Sequence, residues 1–69
     1  MWIKRKHYAI NLDDITWFGV KERAYERWAL AFFYKDDSER LIDYNSKEEA
    51  EEAFNVIVHA LGTEICVLD

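Results

Sequence analysis

The seven residues Trp28 to Tyr34, WALAFFY, form an unbroken apolar run, and they constrain the fold more than any other part of the chain. The run is well short of the roughly 18 residues needed to cross a bilayer, and its aromatic content favours an extended strand. Side chains alternate between the two faces of a strand, so Trp28, Leu30, Phe32 and Tyr34 point one way and Ala29, Ala31 and Phe33 the other. Neither set is polar. A sheet built on this strand needs cover on both sides, whereas an antiparallel sheet open to water carries polar residues on its outer face. Trp17 and Phe18, adjacent and so on opposite faces, repeat the signal one strand earlier.

One cover is legible downstream. Ser46-Lys47-Glu48-Glu49 is a capping box, in which the serine hydroxyl accepts from the Glu49 amide while the glutamate reaches back. It starts a helix at Lys47. Ala50, Ala53, Phe54, Ile57, Val58 and Leu61 then recur with the spacing of a single buried stripe. Gly62 supplies a left-handed stop, giving a helix over Lys47–Leu61.

Upstream, Tyr8–Leu12, Ile15–Val20, Arg27–Tyr34 and Arg40–Tyr44 are rich in aromatic and β-branched residues and read as four strands. The polar stretches between them are short, which implies antiparallel neighbours. Ala24, Arg27 and Leu30 would also tolerate a helix from Glu22 to Phe33. The expected fold is α+β: a single domain over residues 1–69, with a four-stranded antiparallel β-meander packed on one face by the C-terminal helix. Thr63–Asp69 adds a short fifth strand or an apolar arm. Strands closed by one amphipathic helix resemble the last part of pleckstrin-homology-like barrels, although this chain is too short for their seven strands. That likeness implies architecture only.

A chain of 69 residues buries only about 60% of its unfolded surface. Small scaffolds therefore need a staple or an exceptionally dense core. Cys66 has no partner cysteine, so no disulfide forms within the chain, and a lone cysteine fits a reducing, cytoplasmic setting. Two supports remain, a dense core filled by the three Trp, four Tyr and four Phe or a core shared between copies of the chain, and the second is favoured. The uncovered aromatic side of the sheet is expected to meet a second copy or another protein, with Trp17, Trp28, Phe32 and Tyr34 as anchors, since aromatic hot spots carry most interface energy. The sheet's own curvature is the competing way to shelter it.

The formal charge of −5 is unevenly spread, because Asp36–Glu52 holds eight acids against Arg40 and Lys47. Glu48, Glu51 and Glu52 lie on the polar side of the helix. They form either a plain solvated face or an acidic surface that docks on a basic protein or imitates nucleic-acid phosphate. In size, charge and architecture the chain is similar to small inhibitors of nucleic-acid enzymes, phage proteins among them. Trp2, Lys4, Lys6 and Tyr8, on one side of an extended segment, could stack bases and bind phosphates. Yet an acidic chain lacks the broad basic footprint that nucleic-acid binding needs, and the plainer reading of this segment is an edge strand whose lysines discourage unwanted pairing.

Chemistry is sparse. His7 and His59 are the only imidazoles, and with Cys66 they lack metal-ligand spacing, so neither metal nor cofactor is expected. His59 is expected on the solvent side of the helix near its C-terminal end. Cys66, between Ile65 and Val67, reads as a small buried residue. Asp13-Asp14 and Asp36-Asp37 fall in turns open to water, where nothing raises a carboxyl pKa toward neutrality. Ser46 is committed to its cap, and no glycine-rich loop exists to cradle a phosphate. A non-enzymatic interaction protein is the expectation. The basic start, Lys4-Arg5-Lys6, lacks the apolar stretch of a signal peptide.

Overall fold

Turn chemistry sets the topology. In the computed structural model, which describes residues 1–66, the chain reverses at Lys6-His7, with Lys6 in the left-handed region at φ 50°. Strand β1 (Trp2–Arg5) is thereby folded onto β2 (Tyr8–Asn11) in an antiparallel hairpin that pairs Ile3 with Ile10. Asn11 then accepts a hydrogen bond from the Asp13 amide and caps a 3-10 turn over Leu12–Asp14. The Leu12 amide donates to the Met1 carbonyl, 2.9 Å away. This corner carries the chain out of the hairpin into a separate sheet of β3 (Ile15–Arg23), β4 (Arg27–Tyr34) and β5 (Glu39–Tyr44), in the order β3-β4-β5.

The expected four-stranded meander is therefore corrected to five strands in two antiparallel sheets, of two and three strands. The segment read as a tight turn at Asn11–Asp14 is a corner, and the basic N-terminal stretch supplies a strand of its own. The alternative helix over Glu22–Phe33 does not form: β3 runs to Arg23, and Ala24–Glu26 makes the hairpin loop.

Helix α1 spans Lys47–Leu61. The Ser46 hydroxyl accepts from the Glu49 amide at 3.2 Å, while the Glu49 carboxylate accepts from the Asn45 amide, one residue before the expected donor. Gly62 ends the helix at φ 57° and donates to the Val58 carbonyl. Gly62–Glu64 forms a 3-10 turn where a fifth strand was expected to begin. Ile65 and Cys66 are not in a strand either, and Val67–Asp69, the rest of that expected strand, lie outside the described residues.

Pairing registers assign the sheet's two faces. Phe18, Val20, Leu30, Phe32, Ile42 and Tyr44 share the inner face. There Leu30, Phe32 and Ile42 form one core with Ile10 and Ile57. Its lid is the helix together with the β1–β2 hairpin, so the inner face has two covers where the helix alone was expected. Two guanidinium-over-ring contacts dock the hairpin: Arg5 lies 4.6 Å from the Tyr44 ring centroid and Arg40 lies 5.1 Å from that of Tyr8.

The outer face uses small residues in its central strand. Ala29 and Ala31 on β4 and Gly19 on β3 are buried although neither helix nor hairpin lies on this side. Long flanking side chains reach across β4 above them, with Lys21 pairing to Glu39 at 3.4 Å and Arg23 to Asp43 at 2.7 Å. Exposed pairs of this kind contribute only about 0–1 kcal/mol each. Their effect is to shelter the alanines and fix the relation of β3 to β5.

Candidate interaction surface

Between Ile15 and Trp17 the β3–β4 register shifts by a bulge, and the Thr16 hydroxyl donates to the Phe33 carbonyl at 3.3 Å. The bulge fixes which of the adjacent aromatics faces out. Phe18 turns inward, stacking with Phe32 at 6.1 Å and meeting Phe54 of the helix at 5.5 Å. Trp17 turns outward, stays 51% exposed and meets Phe33 edge-on with centroids 5.0 Å apart. Its indole lies over Gly19 so closely that a Cβ there would stand 2.9 Å from Cη2 and Cζ2. Glycine at this position leaves the ring its seat.

The four expected anchors do not assemble on one face. Phe32 is wholly buried in the core, and Tyr34 packs against that core from its margin. Trp28 lies on the inner side under the Lys47 ammonium, 5.3 Å from its ring centroid. Trp17 alone stands on the outer face, with Phe33, which the alternation had already assigned to the opposite side from Phe32, and with half-buried Leu41.

Trp17 and Trp28 do meet one feature in common. A groove of about 580 Å³ runs along the free edge of β3 beside α1, with Phe18, Val20, Trp28 and Phe54 among its walls and Lys47, Glu51 and Asn55 on its helix side. No side-chain property of Trp17 or Trp28 announces this groove in the sequence; it forms where α1 packs beside β3 and β4.

The acidic set is brought together. Glu48, Glu51 and Glu52 are exposed on the outer side of α1, around a shallow depression of about 540 Å³ that they share with Asn55, Val56 and His59. Glu51 makes a long contact to Lys47 at 3.9 Å. Val56 interrupts this surface at 63% exposure. His59 lies, as expected, on the exposed side of the last turn.

The basic N-terminal set is split. The hairpin register puts Trp2 and Lys4 on one face and Arg5 and Tyr8 on the other, while Lys6 occupies the turn. The expected single stacking platform of Trp2, Lys4, Lys6 and Tyr8 is therefore absent from the described residues, because the segment is a hairpin and not one extended strand. Cys66 is exposed, not buried as expected. Among the described residues no three His, Cys, Asp or Glu side chains gather as a metal site requires. Both carboxylate pairs sit in turns and are exposed, and the Ser38 hydroxyl and amide donate to Asp36, holding its carboxyl below the ordinary aspartate value. No helix among the described residues is long and apolar enough to cross a membrane. No protein-family model, curated protein or solved structure matches the chain.

Proposed function

We propose that this chain is a small, non-enzymatic interaction module that works as a homodimer, with Trp17 as its principal anchor. The observation that carries the reading is an indole on the outer face, half exposed, packed edge-on against Phe33 and seated on Gly19, where any side chain would displace it. A large aromatic held in one orientation loses little conformational freedom on binding and is the typical centre of an interface. Trp28 contributes along the adjacent groove, whereas Phe32 and Tyr34 act by holding the fold. The lone cysteine suits a cytoplasmic setting.

The test is the mass in solution. Wild type is expected at twice the chain mass of 8.3 kDa. Trp17→Ala is expected at the monomer mass with an unchanged far-ultraviolet circular dichroism spectrum. Wild type at the monomer mass throughout a concentration series removes the proposal.

A second reading, docking of the helix onto a basic protein surface, is favoured by the exposed Val56 among Glu48, Glu51 and Glu52: an apolar contact ringed by acids has the make-up of a small interface. Reversing the three glutamates to lysine is expected to abolish capture of a basic target while the helix remains folded. Unchanged capture excludes this surface.

A further inference from the structure

We propose that β3 pairs antiparallel with β3 of a second copy, about a two-fold axis through Val20, joining two three-stranded sheets into one of six strands. The inference rests on the homodimer reading above and specifies its geometry. β3 is the longest strand, nine residues, and stands at the sheet margin with β4 on one side and no strand among the described residues on the other. An open margin presents a row of backbone donors and acceptors that templates another strand. Soluble proteins blunt such margins with proline, with charges directed at the edge or with a bulge. This chain has no proline, Lys21 and Arg23 are turned across the sheet to Glu39 and Asp43, and the bulge lies at the very start of the strand. The opposite margin, β5, is treated differently: Arg40 and Tyr44 tie it to the β1–β2 hairpin.

The occupant follows from length and charge. Beyond the bulge, the regular run is Trp17–Arg23, and its midpoint is Val20. Pairing that whole run with its own copy sets Val20 against Val20, Gly19 against Lys21, Phe18 against Glu22 and Trp17 against Arg23. No like charges face each other across this pairing. Sliding the axis one residue to Lys21 would set two lysines face to face. The same pairing extends the apolar wall of the α1 groove with Phe18 and Val20 of the second copy, so the edge and the groove are closed by one event.

A single cysteine at the axis tests this directly, because residues directly opposed across an antiparallel pair have Cβ atoms close enough for a disulfide with small adjustment. Val20→Cys in a Cys66→Ser background has no second thiol in its own chain, so any disulfide joins two copies. Under mild oxidation it is expected to run at twice 8.3 kDa on a non-reducing gel, while Leu41→Cys in the same background, on the outer face, stays at the single mass. A dimer by light scattering that cross-links through Leu41→Cys and not Val20→Cys overturns edge pairing and leaves the homodimer standing as a face-to-face assembly. Should the Val20 variant fail to fold, hydrogen exchange on wild type decides: β3 amides are expected to slow as concentration rises. Amides that exchange at one rate while the mass doubles overturn the proposal. A wild-type mass of 8.3 kDa at every concentration removes the homodimer itself, and the inference with it.

Discussion

Gly19→Ala, measured with and without Trp17, tests how the outer face is built. On a strand, alanine is favoured over glycine by about 0.5–1 kcal/mol, because glycine loses more backbone freedom on folding. In this protein the new methyl would stand 2.9 Å from two indole carbons, about 0.5 Å or more inside ordinary contact, so the ring must swing aside. Swinging costs the edge-on contact with Phe33, about 0.5–1.5 kcal/mol for an aromatic pair, and a strained side-chain torsion of similar size, about 0.5–1.5 kcal/mol. The net effect in wild type is a loss of roughly 0–2.5 kcal/mol once the glycine term is subtracted. In a Trp17→Ala background the obstacle is gone, and the same substitution stabilises by about 0.5–1 kcal/mol. The coupling energy of the cycle is thus about 1–3 kcal/mol. Urea unfolding followed by circular dichroism at low micromolar concentration gives all four free energies. A Gly19→Ala effect of equal sign and size in both backgrounds would refute the claim that glycine is there to seat the indole.

Three further outcomes follow from the geometry. Phe32→Ala, at a wholly buried site, is expected to cost about 3–5 kcal/mol, a third or more of the roughly 3–10 kcal/mol available to a domain of this length, and so to lower the urea midpoint sharply. Tyr25, 96% exposed, and Glu26 both have positive φ, at 61° and 59°, in the β3–β4 loop. Tyr25→Gly is expected to raise the unfolding free energy by about 1 kcal/mol by relieving left-handed strain, and a decrease would count against that strain. Asp36 titrates below its unfolded value because Ser38 donates to it. Its contribution is therefore present above the ordinary aspartate pKa and lost as pH falls through the lower folded one. The thermal midpoint of wild type should drop over that acid range more than that of Asp36→Asn, and parallel curves would contradict the argument.

The helix was legible to the residue, Lys47–Leu61, since a capping serine, a 3.6-residue stripe and a terminal glycine are all local signals. Four of the five strands were legible for the same reason, though the far end of β3 was not: Lys21, Glu22 and Arg23 look like a polar loop and are strand because Ala29, Trp28 and Arg27 lie opposite them. Strand β1 was legible only as an edge strand outside the four-stranded count, because Trp2–Arg5 carries lysine and arginine in a short run, and its partner, Tyr8–Asn11, is set by the hairpin. Of the candidate site, the acidic trio was read correctly as one exposed face, for helical periodicity specifies which residues share a side. The aromatic set was not. One inserted residue at Thr16 resets the alternation of β3 relative to β4, and no composition rule announces a bulge.

Local physics therefore settled what is made of nearest neighbours along the chain: the cap, the helix, the alternation within each strand, and a central strand with no polar side. Which strands share a sheet, what lies over Phe32, and whether Trp17 or Phe18 looks outward were decided by contacts between residues far apart in sequence, down to a methylene's width over Gly19. Such contacts depend on register, and register is a property of two strands meeting, which neither strand carries alone.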